Sequence, residues 1–305
     1  MTTPLSGTPI TLRRGRYEAH VASVGASLRS LTVDGRDLVV PFEADEIRPV
    51  FRGAILAPWP NRIVDGTYSF DGAEYQLALT EPSRGHALHG LLAWADWAVV
   101  SATDAEAVLR AHVVPSDGYP WPIAVTVTYV LGDDGLTTTV EAVNEGRDAA
   151  PWGTAPHPYL SAGIGRVDDW TLTLPAGSYL EVTDDRLIGV GVKPVTERAG
   201  FDFREGHAIG DLFVDHCFTD LARDETGAAT VTVASPDGAG GRMTFGTELP
   251  WVQIHTADRP EADLNRLGLA VEPMTCPPEA FTTGEDLVVL APGASHRASW
   301  TIADL

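Results

Sequence analysis

The sequence predicts an all-β protein, built as one large antiparallel β-sandwich with very little helix. Short runs of alternating apolar and polar residues, rich in β-branched side chains, recur along the chain between Gly, Pro, Asp and Asn. Amphipathic patterns of helical period are nearly absent. No tandem repeat or low-complexity linker divides the 305 residues. Since all-β sandwiches of this size occur as one domain, we predict a single domain over residues 1–305.

Ten segments show the composition and length of strands. In order, they are 17–24, 97–102, 107–114, 124–131, 136–144, 169–175, 229–236, 242–249, 251–257 and 296–303. Asp-Gly pairs predict hairpin turns at 33–36 and 133–136, because Asp-Gly readily adopts positive φ. The best helical candidate is the short segment 259–268, with acidic residues near its start and a glycine at its end. Between the strands we expect long irregular loops at 51–66, 81–93 and 150–166, where functional residues concentrate.

Composition excludes several classes of partner. Hydrophobic residues make up 44% of the chain, which is ample for a core. The 42 acidic and 21 basic residues give a formal charge of −21, which repels nucleic-acid phosphates and anionic membrane surfaces. The first residues contain no apolar segment of signal-peptide length, and no run of about 18 apolar residues occurs. We therefore expect a soluble cytoplasmic protein, with Cys217 and Cys276 as reduced thiols.

Polar residues that composition does not explain stand in loops and at strand ends. Glu272 follows the apolar run 267–271 and directly precedes a proline. His157 is held between two prolines, which fix a rigid, non-helical backbone. Burial raises the pKa of a carboxyl and lowers that of a histidine, which brings both towards the range that acid and base catalysis needs. The remaining candidates are Asn61, Arg62, His86, His89, Asp215 and His216.

Each candidate also has a structural interpretation. His157 could cap loop carbonyls, and Arg62 could form a salt bridge that pins its loop. His86 and His89 have a spacing that permits metal binding, but a third ligand is not evident, so we expect no metal. Asp215 and His216 are adjacent in a strand, so their side chains point to opposite faces. Glu272 is the hardest to explain structurally, because a buried carboxylate needs a partner.

The order of the motifs resembles the aldose 1-epimerase (galactose mutarotase) family. The chain reads PNRIVDGTYSFDGAEYQL, LHG, SDGYPWP, EAVNEG, HPYL, VDHCF and VEPMTCPPEAF, a resemblance that runs from about 53 to 281. It implies a large antiparallel β-sandwich with a sugar bound in a cleft across one sheet. It also implies a mutarotase that interconverts the anomers of a hexopyranose such as galactose or glucose, with no cofactor.

Position by position, the resemblance makes Glu272 the general base and His157 the general acid. It assigns sugar-hydroxyl contacts to Asn61, Arg62 and Asp215, and places the first histidine of the family site at His89. The chain departs from the family where HPYLSAG lacks the usual Phe-Asn-Leu and where HGLL replaces His-Gly-Gly. Both changes lie in loops that shape the pocket, so they affect substrate preference more than the chemistry.

Two alternatives stay open. A hexose 6-phosphate would require basic side chains in the cleft, for which Arg52, Arg62 and Arg84 are available. A non-catalytic sugar-binding protein would not require both Glu272 and His157.

Trp59, Trp94 and Trp152 could stack on a sugar ring or pack beneath the loops. The expected partner is a monosaccharide, with neither nucleic acid nor membrane, and the expected assembly is a monomer or a weak homodimer.

Overall fold

The structure is a computed structural model that describes residues 3–305. Within this range it contains 27 strands, one four-residue α-helix and three short 3₁₀ helices. The first nine strands are β1 (Pro9–Arg14), β2 (Tyr17–Ala22), β3 (Ser27–Val33), β4 (Arg36–Asp37), β5 (Ile55–Leu56), β6 (Arg62–Val64), β7 (Thr67–Phe70), β8 (Ala73–Gln76) and β9 (His86–Leu88). The next nine are β10 (Ala98–Ala102), β11 (Glu106–Val113), β12 (Ile123–Gly132), β13 (Gly135–Asn144), β14 (Ala150–Trp152), β15 (Ala155–Pro156), β16 (Tyr159–Leu160), β17 (Thr171–Thr173) and β18 (Ala176–Val182).

The remaining strands are β19 (Gly189–Pro194), β20 (His207–Ala208), β21 (Asp215–Leu221), β22 (Ala229–Ala234), β23 (Gly240–Phe245), β24 (Trp251–His255), β25 (Leu269–Met274), β26 (Val288–Leu290) and β27 (Ser295–Asp304). Helix α1 is Ala280–Thr283, and the 3₁₀ helices are Pro49–Phe51, Val167–Asp169 and Val195–Glu197. Each of the ten predicted strands coincides with an observed strand, which confirms the all-β prediction.

Two antiparallel sheets form the sandwich. The larger has nine strands in the order β10-β11-β12-β13-β27-β23-β22-β17-β20, and the smaller has six in the order β16-β25-β24-β21-β18-β19. One hydrophobic core contains residues of both sheets, including Val127 and Val140 from the larger and Ile254 and Val271 from the smaller. A four-stranded sheet, β1-β2-β3-β4, adds to the same core. The predicted sandwich is therefore confirmed.

Strands β24 and β25 of the six-stranded sheet are buried on both of their faces. All six residues of β25 are buried, whereas β13 in the larger sheet alternates between buried and more exposed residues. Leu269 and Val271 pack into the core between the sheets, and Met274 packs into a second apolar cluster on the opposite face. Since side chains alternate along a strand, Glu272 shares the face of Met274 and points away from the core.

The second face is covered by the three predicted loops, which are more regular than expected. Two short ladders join these loops, β5 with β15 and β6 with β9, and a third pairs β14 with β26, which lies outside them. The predicted hairpins are confirmed, because Val33 pairs with Arg36 and Gly132 pairs with Gly135.

The predicted helix over 259–268 was wrong. The segment forms turns, since Leu264 N–H bonds to the Glu261 carbonyl and Arg266 N–H to that of Ala257. The Arg266 guanidinium is buried and bonded to Asp168 and Asp258, and these long-range contacts prevail over a weak local helical preference.

Gly53 joins the core to the loop layer. Its N–H donates to the carbonyl of His157 (2.7 Å), and its carbonyl accepts from Leu28 N–H (3.0 Å). Its φ is +66°, and a Cβ atom there would collide with the backbone carbonyl of Leu28. A side chain at position 53 is thus excluded both by conformation and by space.

We predict that Gly53→Ala lowers the free energy of unfolding by more than Gly293→Ala does. Gly293 has a similar φ of +73° but open space around its Cβ position, so it controls for the conformational strain alone. The clash at position 53 should add roughly 1–3 kcal/mol, typical of overpacking. Urea unfolding of both variants measures the difference, and equal losses would contradict the packing argument.

Candidate active site

A cleft of about 270 Å³ lies on the loop-covered face of the six-stranded sheet. Its lining contains all six residues that the sequence analysis singled out as catalytic or substrate-binding: Asn61, Arg62, His89, His157, Asp215 and Glu272. They come from five different segments of the chain. The sandwich and its loops therefore bring the predicted candidates together in one cavity, while their roles stay predictions.

Glu272 lies in β25, directly opposite Gln253 of β24. Its side chain is only 3% exposed, and its Oε1 lies 3.5 Å from His157 Nε2. Its Oε2 has no hydrogen-bond partner among the described residues. Burial raises the pKa of Glu272 well above its usual range, and the Asp215 carboxylate adds to the shift while Arg62 opposes it.

His157 is fixed through its backbone and its ring. Its N–H donates to the Ala54 carbonyl (2.9 Å), and its carbonyl accepts from Gly53. Its ring centroid lies 5.0 Å from that of His89 and 5.3 Å from that of Tyr159. Burial lowers the pKa of His157 to about 3, with a further contribution from His255. The rigid backbone predicted for this histidine thus holds it against Glu272.

These pKa directions favour a neutral pair, with a protonated Glu272 carboxyl and a neutral His157 imidazole. Burial disfavours both charged forms, and the two groups are close enough to exchange a proton with little movement. The pair therefore holds one proton that either partner can give to a bound molecule.

Two glutamates fix the position of Arg62: Glu81 binds its side chain and Glu279 binds its backbone. Its Nε and Nη2 donate to the two carboxylate oxygens of Glu81 at 2.8 and 3.1 Å, a bidentate pair. Arg84 donates to the same carboxylate at 2.9 Å. On the other edge of β6, Glu279 donates its backbone N–H to the Arg62 carbonyl and accepts the Val64 N–H with Oε1. The salt-bridge interpretation of Arg62 therefore applies, but the side chain also lines the cleft.

Asn61 and His89 are positioned together. Both have positive φ, +52° and +62°, and His89 N–H donates to the Asn61 carbonyl at 2.9 Å. His89 is packed edge-on to Phe51 with ring centroids 4.7 Å apart. Burial lowers the pKa of His89 well below its usual range, and His157 contributes. The ring is therefore neutral near pH 7.

Asp215 starts β21 and faces two residues of β24. Gln253 Nε2 donates to its Oδ1 at 2.7 Å, and His255 Nδ1 lies 3.9 Å from the same oxygen. Burial acts to raise the pKa of Asp215, but the charges of His255 and Arg62 and the bond from Gln253 bring it below its usual range. Asp215 is thus an ionised acceptor in the cleft.

Several residues considered in the sequence analysis lie outside the cleft lining. His216 points to the opposite face, as predicted, where its Nε2 lies 2.8 Å from the Arg198 guanidinium. His86 is buried, with Nε2 2.8 Å from the Arg186 carbonyl. Arg52 is buried and donates to the Pro41 carbonyl. Cys217 and Cys276 are buried free thiols. Of the three tryptophans, Trp59 and Trp152 are buried under the loops and Trp94 is exposed.

The cleft also contains residues that the sequence analysis did not select, among them Phe51, Glu81, Tyr159, Gln253, His255 and Arg259. A signal for two of them was present. Gln253 and His255 alternate with the core residues Val252 and Ile254, so they must face the same side as Glu272. Glu81 and Arg259 lie in loops, where no periodic pattern shows which way a side chain points.

The structure gives no support for a metal centre. Among residues 3–305, no group of three or more His, Cys, Asp or Glu side chains is arranged to hold a metal ion. The same residues include no helix that is long and apolar enough to cross a membrane.

The chain is similar to known proteins over almost its whole length. A family model described as Aldose 1-epimerase matches residues 9–303. The uncharacterized protein YihR of Escherichia coli K12 is 38% identical over 298 residues, which cover 97% of this chain and 93% of that protein. Galactose mutarotase of Rattus norvegicus is 31% identical over 215 residues, which cover 65% of this chain and 61% of the mutarotase.

Solved structures share the fold across almost the whole chain. The GalM/aldose epimerase homologue from C. elegans superposes with a TM-score of 0.85 and 22% identity, covering 98% of both chains. Galactose 1-epimerase from Lactobacillus acidophilus gives a TM-score of 0.80 and 20% identity, covering 96% of this chain and 93% of that one. At these identities the likeness shows the fold alone.

The buried neutral histidines predict a loss of stability in acid. Burial lowers the pKa of His216 to about 4 and that of His157 to about 3, whereas both titrate near 6.5 once unfolded. At each of these two residues the unfolded chain binds more protons below pH 6.5, so each histidine lowers the free energy of unfolding by about 1.4 kcal/mol per pH unit as the pH falls. This loss continues until the pH reaches the folded pKa.

Urea unfolding between pH 7 and 4.5 measures this slope. We expect His216→Gln to reduce the slope by about 1.4 kcal/mol per pH unit. An equal slope in His216→Gln and in the wild type would contradict a neutral His216 in the folded protein.

Proposed function

Because the chain belongs to the aldose 1-epimerase family, we propose that it is a mutarotase that interconverts the α and β anomers of a hexopyranose such as galactose or glucose. The observation that carries the proposal is the 3.5 Å approach of Glu272 and His157 in a cleft of about 270 Å³. The two oxygens that exchange protons in this reaction, O1 and the ring oxygen O5, are bonded to the same carbon. A proton donor and an acceptor that lie close together can therefore serve both oxygens of one sugar.

The chemistry is an acid- and base-assisted ring opening. An aldopyranose is a hemiacetal, so the base takes the proton of the O1 hydroxyl while the O–H electron pair forms the C1=O1 double bond. The C1–O5 bond breaks, and O5 keeps its electron pair and takes a proton from the acid. Rotation about C1–C2 presents the other face of the aldehyde, and closure with both transfers reversed gives the opposite anomer. No electron is gained or lost.

Glu272 is the base and His157 the acid in this proposal. The productive form is then the ionised carboxylate with the imidazolium, whereas the pKa directions favour the neutral pair. The two forms differ by one proton moved across 3.5 Å. Hydrogen bonds from O1–H to the carboxylate and from the imidazolium to O5 stabilise the charged form, because they stabilise both charges.

The other lining residues bind hydroxyls in this proposal. Asp215 is an acceptor, and Arg62 donates from a guanidinium whose position Glu81 fixes. Asn61 supplies an amide beside Arg62, with its Oδ1 3.4 Å from Nη1. His89, neutral and edge-on to His157, donates or accepts near the reacting carbon.

A neutral sugar fits the charges of the cleft better than a sugar phosphate does. The lining carries three guanidinium groups, of Arg62, Arg84 and Arg259, and four carboxyl groups. Arg62 and Arg84 share the Glu81 carboxylate, which leaves Arg259 as the guanidinium without an ion pair among residues 3–305. A phosphate needs several free cationic donors. Hexose 6-phosphate is therefore the second substrate class, and cytoplasmic location and a monomeric or weakly dimeric state stay predictions.

Anomer exchange is the direct test of the proposed reaction. We expect the protein to speed equilibration of freshly dissolved α-galactose or α-glucose, and Glu272→Gln to lower kcat by about 10² to 10⁴, the usual contribution of a positioned acid or base. Exchange NMR measures the rate, with the exposed Glu141→Gln as the control.

The outcomes separate the alternatives. Near-full activity in Glu272→Gln would contradict the assignment of the base. Sugar binding without faster equilibration would favour a non-catalytic binding protein. A higher kcat/KM for glucose 6-phosphate than for either neutral sugar would favour the phosphate.

The pH dependence of kcat/KM should be bell-shaped and broad. Activity requires one proton on the Glu272–His157 pair, so it falls on the acid side as the pH drops through the His157 pKa of about 3. On the alkaline side it falls as the pH rises through the Glu272 pKa, which lies well above its usual range. Polarimetry with the spontaneous rate subtracted gives the profile. An alkaline limb at the ordinary pKa of a glutamate would contradict the shared proton.

A further inference from the structure

His255 is a titratable group in the cleft that the proposed chemistry does not use. It ends β24, directly opposite Asp215 in β21 on one side and Ala270 in β25 on the other. It shares the face of Gln253 and alternates with the core residue Ile254, so its ring points into the cleft. Its place is therefore set by the same strand geometry that places Glu272.

The ring of His255 is not satisfied by the protein. Its Nδ1 is buried and has no hydrogen-bond partner among residues 3–305. The nearest acceptor, Asp215 Oδ1, is 3.9 Å away, which is too far for a hydrogen bond, and Gln253 already donates to that oxygen at 2.7 Å. Buried polar atoms are almost always paired, so an unpaired one that lines a cavity points to a ligand.

The chemistry of the pair matches two neighbouring hydroxyls. Ionised Asp215 only accepts hydrogen bonds, whereas a neutral imidazole accepts at one nitrogen and donates at the other. Directly opposed residues of an antiparallel pair have Cβ atoms about 4.5–5.5 Å apart, so the two side chains present their polar atoms side by side. Adjacent ring carbons of a pyranose present their hydroxyls in the same manner.

We propose that His255 is a substrate-binding residue that forms a hydrogen bond with the sugar hydroxyl next to the one bound by Asp215. This rests on the proposed function, because it assumes a sugar in the cleft. His255 then determines specificity, since an epimer that turns this hydroxyl away, or a sugar that lacks it, leaves the buried Nδ1 atom unpaired.

Deoxy sugars test the proposal. The panel is a set of hexoses that each lack one hydroxyl, at C2, C3, C4 or C6, measured by anomer exchange with the wild type, His255→Phe and His255→Gln. We expect His255→Phe to raise KM for the complete sugar roughly tenfold, the effect of one lost hydrogen bond of about 1.4 kcal/mol, with a smaller change in kcat. His255→Gln, which keeps an acceptor and a donor, should recover part of the loss.

The decisive readout is the coupling between residue and hydroxyl. One deoxy sugar should bind the wild type poorly and lose nothing further in His255→Phe, whereas the other deoxy sugars should lose as much as the complete sugar does. His112→Phe, in the exposed part of β11, is the matched control and should behave as the wild type on every sugar. Thermal unfolding checks that each variant folds.

Two results would overturn the proposal. One is an unchanged KM in both His255 variants, and the other is an equal loss for every sugar, which would indicate a merely structural role. If the wild type accelerates no sugar at all, the proposed function fails. Calorimetric binding of the same sugars to the same variants then measures the coupling at His255 separately.

Discussion

Burial of β24 and β25 on both of their faces is the constraint on which the site depends. In β24 and β25, one set of alternate residues packs into the core between the sheets, and the other set faces the loops. A polar residue in the second set, such as Glu272, is removed from water by the same packing that stabilises the fold. Its altered pKa follows from its place in the strand.

The polar groups in the cleft are of two kinds: some have hydrogen-bond partners within the protein, and others have none among the described residues. The guanidinium of Arg62 is bonded twice to Glu81, and Asp215 accepts from Gln253. Both groups therefore remain charged in a buried place, because a partner stabilises the charge. By contrast, Oε2 of Glu272 and Nδ1 of His255 have no partner among the described residues. The first kind of group is pre-organised by the protein, and the second is available to a bound molecule.

Short ladders and backbone hydrogen bonds fix the positions of the loops. His157 is bonded through its N–H to Ala54 and through its carbonyl to Gly53, which itself pairs with Leu28 in the core. On the other side of the cleft, Glu279 closes the free edge of β6 with two hydrogen bonds. These contacts explain how side chains from separate loops meet at hydrogen-bonding distances, although most of the segments between them have no regular structure.

The sequence alone determined ten of the 27 strands found in residues 3–305 and the sandwich class, because side-chain alternation is a local property of the backbone. It placed Asp215 and His216 on opposite faces, which the structure confirms. It failed at 259–268, where the long-range contacts of Arg266 prevail over local preference. It named the six cleft residues through motif order, but missed Gln253 and His255, although they alternate with core residues. Only the tertiary structure decided the 3.5 Å approach of Glu272 to His157 and the pairing of Arg62 with Glu81. Such distances join segments far apart in the chain, and they depend on how the loops pack over the sheet.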